Sequence, residues 1–263
     1  MQIAGSTVLL TGASGGIGQA LARAVAERGG ELILTGRRVD VLEPLAQELG
    51  ARPIAADLAD RAAVDRLIGE AGAVDVLIAN AGLPGVGALD SFTVEQIDRA
   101  LDVNLRAPIV LARALSQGMV ERGRGHLVFM SSLNGKAATP LTSIYNATKF
   151  GMRGFATALR EDLRASNVGV STIFPGFIRD AGMFVAAEVK LPPGVGTRTP
   201  DDVARATIKA IERNRAEVDV APLAMRLGTT FASLAPEAAA NASRKLGAHK
   251  VAGQMASGNA DKR

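Results

Sequence analysis

A short strand pattern, Thr7-Val-Leu-Leu-Thr11, runs straight into Gly12-Ala-Ser-Gly-Gly-Ile-Gly18 and then into an Ala/Leu/Val helix from Gln19 to Arg28. No other feature limits the possible folds of this chain as strongly. Glycines at 12, 16 and 18 let the backbone turn tightly and come close to a ligand. The helix that follows aims free N–H groups and a partial positive charge at the same spot. A pyrophosphate is the natural occupant, and the strand–turn–helix context is what gives a Gly-rich turn that meaning. Strand and helix patterns go on alternating along the chain. That predicts an α/β fold, a parallel sheet covered by helices on both faces.

The second strand pattern, Glu31-Leu-Ile-Leu-Thr35, ends in Gly36-Arg37-Arg38. A carboxylate at such a strand end would hold the adenosine ribose hydroxyls of a dinucleotide. Here the position is Gly36, and two guanidinium groups follow. They suit a ribose 2′-phosphate, so the expected cofactor is NADP(H) rather than NAD(H). After a helix pattern from Asp40 to Leu49, a short strand near Pro53-Ile-Ala-Ala56 delivers Asp57 and Leu58. Asp57 could accept from the adenine amino group or cap the helix starting near Asp60. The strand Val74–Ala79 leads to Asn80-Ala81-Gly82, where small residues allow backbone approach and Asn80 can pin the loop. Thr93 with Gln96 reads as a capping box. The helix it opens runs past Asn104, either a core polar anchor or part of a site, and Pro108 suggests a bend just after it.

The strand His126–Met130 brings Ser131 and Ser132 to its carboxyl end, where open α/β sheets bind ligands. Thirteen residues further on, Tyr145-Asn-Ala-Thr-Lys149 places a phenol and an ammonium one helical turn apart. A free phenol has a pKa of about 10. A cation roughly 4 Å away favours the phenolate by about 4 kcal/mol at an effective dielectric of about 20. That is on the order of three pKa units, enough to bring the phenol towards working pH. The strand Val168–Phe174 then meets Pro175-Gly176, Thr199-Pro200 opens a helix reaching about Arg213, and Val218–Val220 reads as the last strand.

Taken in order, Thr11-Gly-Ala-Ser-Gly-Gly-Ile-Gly18, Asn80-Ala-Gly82, Asn104, Ser132, Tyr145-x-x-x-Lys149 and Pro175-Gly176 resemble the short-chain dehydrogenase/reductase family over roughly residues 4 to 222. The resemblance implies a single-domain, Rossmann-type, doubly wound parallel sheet of seven strands. It implies a catalytic set of Asn104, Ser132, Tyr145 and Lys149, with Asn104 holding a water that links Lys149 to solvent. It carries cofactor contacts onto Gly12, Ser14, Gly15, Gly16, Ile17 and Gly18 at the turn, and onto Arg37 and Arg38. Asp57 and Leu58 would lie at the adenine, and Asn80, Ala81 and Gly82 along the cofactor. Tyr145, Lys149, Pro175, Gly176 and Ile178 would lie at the nicotinamide end. Two positions depart from the pattern. Asp180 stands where the family often has Thr, and Gly15 where many NADP-dependent members have Arg or Lys.

These residues point to an enzyme that moves a hydride between NADPH and an apolar carbonyl or secondary alcohol. The alternative is a non-catalytic NADP-binding sensor or scaffold on the same fold, which has no need of the complete set. No metal is expected. The resemblance makes residues 177–199 a substrate lid and makes a homodimer or homotetramer the expected assembly.

Composition narrows the remaining classes. With 263 residues, 48% hydrophobic, the chain suffices for one domain with a sizeable core. There is no cysteine, hence no disulfide framework. The strand at Thr7 leaves no room for a signal peptide, and no apolar run would span a bilayer, so the expected location is cytoplasmic. The net charge of +4 lies wholly beyond Asn241, in Arg244, Lys245, Lys250, Lys262 and Arg263 against Asp261. With one Tyr and no Trp to stack bases, a nucleic-acid partner is not expected. Residues 223–247 read as an amphipathic extension, with Leu223, Leu227, Phe231 and Leu234 at helical spacing. Such a face could pack on the core or another subunit, cover the substrate site, or make a weak peripheral membrane contact. Residues 248–263 read as a mobile basic tail.

Overall fold

Leu9 points to one side of its strand and Val8 and Leu10 to the other, and all three are fully buried. A strand buried on both faces needs helices on both, which is what a parallel sheet provides. The structure is a computed structural model and describes residues 1–182, 189, 191, 195–245 and 247–262. Met183, Phe184 and Val185 of the expected lid lie outside the described residues.

Seven parallel strands form one sheet in the order β3-β2-β1-β4-β5-β6-β7. They are β1 (Thr7–Thr11), β2 (Glu31–Gly36), β3 (Arg52–Ala55), β4 (Val76–Ala79), β5 (Gly125–Met130), β6 (Val168–Pro175) and β7 (Glu217–Val220). One core packs α1 (Gly16–Ala26), α2 (Val39–Leu49) and α7 (Pro200–Glu212) onto Val8, Leu10, Val76 and Ile78. The opposite core packs α3 (Arg61–Ala71), α5 (Ala107–Glu121) and α6 (Ser143–Asp162) onto Leu9, Leu77, Leu127 and Phe129. This is the doubly wound, seven-stranded arrangement expected from the sequence.

Local signals explain the boundaries. α3 is capped by Asp60, whose side chain accepts from the Ala62 N–H. Asp57 therefore does not cap this helix. α4 (Val94–Leu101) opens on the Thr93–Gln96 capping box, and α7 opens on the equivalent Thr199–Asp202 box with Pro200 in its first turn. Between α4 and α5 the chain makes one π-helical turn, Asp102–Arg106, in which the Ala107 N–H reaches the Asp102 carbonyl. Pro108 has no N–H to continue the ordinary pattern, so the irregular turn falls at Asn104.

Beyond β7 come α8 (Leu223–Leu234), α9 (Pro236–Lys245) and α10 (Ala248–Ser257). Residues 248–257, expected as a mobile tail, are thus helical, and Ala252 and Asn259 are buried. Leu223, Leu227, Phe231 and Leu234 face outward, 50 to 81% exposed, so this stripe does not pack on the chain's own core. The inward face of α8 is anchored instead by Met225 against Leu133, Phe174 and Ala221, and by Ser233 Oγ donating to the Lys136 carbonyl at 2.8 Å.

Two helical glycines differ sharply. A Cβ at Gly18 would overlap the Gly12 carbonyl oxygen and the Ala13 backbone, whereas a Cβ at Gly69 in α3 meets nothing within 4 Å. Gly69→Ala should therefore raise stability by about 0.5–1 kcal/mol through helix propensity. Gly18→Ala should lower it by about 1–3 kcal/mol as the turn is forced open. Urea unfolding of the two variants checks this; equal effects would contradict the geometry.

Candidate active site

The strand order reverses between β1 and β4, because the chain leaves β1 towards β2 on one side and returns through β4 on the other. A crevice opens there at the carboxyl ends of the strands. Thr11 and Asn80 tie its two sides together. Thr11 Oγ1 accepts from the N–H groups of Asn80 and Ala81, each at 3.0 Å. The Asn80 amide donates to the carbonyls of Thr11 at 3.0 Å and Gly12 at 3.3 Å. Gly12 has φ +66°, and a Cβ there would stand 2.8 Å from the Ala81 Cα. A side chain at Gly16 would stand 2.5 Å from the Ala181 Cβ. The turn is thus a bare backbone cradle at the amino end of α1, and its donors fit an anionic pyrophosphate.

A cavity of about 2070 Å³ runs along these strand ends, and Gly12, Ser14–Gly18, Arg37, Arg38, Asp57, Leu58, Asn80–Gly82, Ser132, Tyr145, Lys149, Pro175, Gly176 and Ile178 all line it. At one end lies a cationic cluster. Arg38 Nη2 donates to the Ser14 carbonyl. Arg99, on α4, donates to Asp57 Oδ2 at 2.7 Å, while the Ala59 N–H donates to Oδ1 at 3.1 Å. Burial alone would raise the Asp57 carboxyl, but these two hydrogen bonds, with the charges of Arg99 and Arg37, hold it below the usual range. Sequence reading missed Arg99, whose role depends on where α4 crosses the cleft. At Gly36 a Cβ would stand 3.0 Å from Ser14 Oγ, which leaves little room for an acidic side chain.

At the other end Ser132, Tyr145 and Lys149 converge. The first turns of α6 are fixed to the sheet by backbone contacts. The Tyr145 N–H donates to the Gly85 carbonyl at 3.2 Å, and Ser131 Oγ donates to the Lys149 carbonyl at 3.1 Å. A cluster the sequence did not reveal holds the intervening loop. The Asn134 amide donates to Asn146 Oδ1 at 2.9 Å, and Thr142 Oγ1 donates to the same oxygen at 2.8 Å. Ser132 Oγ accepts from the Asn134 N–H at 3.2 Å and donates to the Pro175 carbonyl over 3.5 Å, a long bond easily exchanged for another acceptor.

The electrostatics differ from the expectation. Lys149 Nζ donates to the Met130 carbonyl at 2.9 Å and sits 5.5 Å from the Tyr145 ring centre. Burial pushes the Tyr145 phenol up to about 12, against the hydrogen bond to Ser132, and pushes the Lys149 ammonium down to about 8. The expected lowering of the phenol by its neighbouring cation is therefore absent, because desolvation of the phenolate dominates. Asn104 takes the anchoring part, one of the two the sequence left open. Its Oδ1 accepts from the Leu83 N–H at 2.6 Å and its amide donates to the Leu83 carbonyl at 2.9 Å. The side chain clamps the loop after Gly82, as a buried polar anchor does. Asp180 has φ +68° and lies exposed beside Arg179, with its carboxylate turned to solvent.

Comparison with known proteins agrees with this geometry. The short chain dehydrogenase family profile matches residues 6–190. The Ketoacyl reductase HetN of Nostoc sp. is 34% identical over 83% of this chain and 79% of its own length. The NADP-dependent 3-hydroxy acid dehydrogenase YdfG of Salmonella typhi is 38% identical over 65% of this chain and 72% of its own. A short-chain dehydrogenase from Sphingobium yanoikuyae, solved in complex with NADPH, superposes with a TM-score of 0.76 at 29% identity, covering 89% of this chain and 95% of that one. A Gly-rich cradle at a strand-order reversal, with Ser132, Tyr145 and Lys149 gathered at the far end of the same cleft, is thus found in a chain that belongs to the short-chain dehydrogenase family of nicotinamide-dependent oxidoreductases.

Proposed function

We propose that this protein catalyses reversible hydride transfer between NADP(H) and an apolar carbonyl or secondary alcohol. The observation that carries the reading is the arrangement of one cleft, with a cationic cluster at one end and Ser132, Tyr145 and Lys149 at the other. The bound nicotinamide dinucleotide supplies or accepts the hydride, and the chain controls placement and the accompanying proton. In reduction the carbonyl carbon gains the hydride and its oxygen gains a proton, giving the alcohol.

The Gly12–Gly18 turn and the amino end of α1 hold the pyrophosphate. Asn80–Gly82, Pro175, Gly176 and Ile178 present small residues and backbone along the rest. Asp57 and Leu58 face the adenine. Arg37, Arg38 and Arg99 surround the 2′-phosphate; with Asp57 as the nearest carboxylate in the cluster, three cations against one anion leave an excess that suits a phosphate dianion. Two relatives named for NADP or bound to NADPH support the same preference.

Tyr145 donates the proton. Its phenol is protonated at neutral pH, the form that reduction requires at the outset, and burial raises its pKa further. Ser132 turns its long-bonded hydroxyl towards the substrate oxygen and steadies the charge developing there. Lys149, with protons to spare beyond its bond to Met130, holds the nicotinamide ribose hydroxyls. Asn104 is a positioning residue that acts through the Leu83 backbone. The faces of α5 and α6 carry Val120 and Phe150, 40% and 42% exposed, and these supply the surface for a homodimer or homotetramer.

Tyr145→Phe should lower kcat for carbonyl reduction by about 10²-fold or more while changing the NADPH Kd less than about twofold. Steady-state rates and a fluorescence titration test this, and retained turnover would refute the role of the phenol. Arg99→Ala should weaken NADPH binding about tenfold or more, from loss of a charge-assisted contact, and leave NADH nearly unchanged. Equal losses for both nucleotides would remove Arg99 from phosphate recognition.

A further inference from the structure

We infer that the substrate is a carbonyl compound with a long unbranched hydrocarbon chain, which lies in a channel roofed by α8, α9 and α10. The inference rests on the hydride-transfer reading and adds the shape and class of the molecule that reaches Tyr145. A pocket for one small molecule occupies roughly 300–1,000 Å³. At about 2070 Å³, this cavity has room for a second ligand beside a dinucleotide.

The surplus space has a definite wall. A Cβ at Gly176 would stand 3.3 Å from both Met225 Cε and Leu133 Cδ1, so Met225 sits beside the reactive end of the cleft. From there residues of all three C-terminal helices line the cavity. Met225 and Ala232 line it from α8, Ala239 from α9, and Val251, Ala252 and Met255 from α10. Met225 to Ala232 alone spans about 10 Å at 1.5 Å per residue. These side chains are small or apolar and half-buried to buried. Glu237, Arg244, His249, Asp261 and Lys262 also reach the cavity, and each is exposed.

Simple core packing does not explain the extension. α9 contributes no buried residue, and α8 contributes only Thr229. The inner sides of α8, α9 and α10 line the cavity, while the larger apolar residues Leu223, Leu227 and Leu234 of α8 face solvent. Polar groups also line it, but Thr229 Oγ1 and the Asn259 amide donate to the Met225 and Met255 carbonyls, and against the alanines and methionines beside them a sugar's hydroxyls would lack partners. A hydrocarbon chain has no such groups and gains from every methylene it buries.

The test is kcat/KM with NADPH for 2-alkanones of four to twelve carbons, on the full chain and on Ala252→Phe and Ala239→Phe. For the wild type, kcat/KM should rise by up to about fourfold per added methylene until the channel is filled. Both variants should turn over 2-butanone within about twofold of wild type and lose tenfold or more on the longest ketones, because a phenyl ring fills the channel. Ala239 is half-buried, so its variant keeps the test sound if Ala252→Phe fails to fold. Turnover of 2-butanone with no dependence on chain length, or variants that keep the wild-type slope, would overturn the channel alone. Binding of NADPH with no turnover of any ketone would overturn the hydride-transfer reading, and the channel with it.

Discussion

Four hydrogen bonds between Thr11, Gly12, Asn80 and Ala81 hold the ends of β1 and β4 together where the strand order reverses. The β1–β4 ladder runs as far as Leu10 and Ile78, and these bonds extend it to the point where the connections leave in opposite directions. The cross-tie sets the width of the crevice. It also presses Gly12 against the Ala81 backbone, which is why no side chain is tolerated there. The bare turn then faces the amino end of α1, and the N–H groups that the helix cannot satisfy internally become the anion site. The binding function of this end follows from backbone geometry that a few small residues make possible.

The reactive end is built differently, by burial. Tyr145 and Lys149 are buried at the cavity wall, where α6 packs against β6 and the loop after Gly82, held by Asn104, lies against its first turn. Desolvation moves both groups towards their neutral forms, the phenol upward and the ammonium downward. A protonated phenol beside a readily exchanged serine hydroxyl suits donation to an oxygen that is becoming negative. The same burial opposes folding, because an ammonium without a carboxylate partner is costly to bury, and a single bond to the Met130 carbonyl offsets part of that cost.

Much of this was legible in the residues, for stated reasons. The Gly-rich turn, the capping boxes at Thr93 and Thr199 and the alternation of strand and helix are local signals, and local hydrogen bonding produced them in the structure. Arg99 was not legible, because its position depends on how α4 crosses the cleft. The Asn134–Thr142–Asn146 cluster was hidden in the same way, in polar residues that read simply as loop. The expected depression of the Tyr145 pKa assumed a contact of about 4 Å at high effective dielectric; spacing along a helix fixes neither the rotamer of Lys149 nor the depth of burial. Leu223, Leu227, Phe231 and Leu234 carry the stronger helical periodicity, yet alanines and methionines of the same extension line the cavity. Alanine carries little hydrophobic contrast, so its periodicity is a weak signal.

The central claim is that hydride leaves the nicotinamide for a carbonyl carbon held at Tyr145. Its most direct test is turnover of 2-decanone with NADPH deuterated at the transferring carbon of the nicotinamide ring, followed by mass spectrometry of the alcohol. The account predicts one deuterium on the carbinol carbon, absent from the Tyr145→Phe reaction. An alcohol whose carbinol hydrogen comes from solvent, or bound NADPH that yields no labelled product, would contradict it.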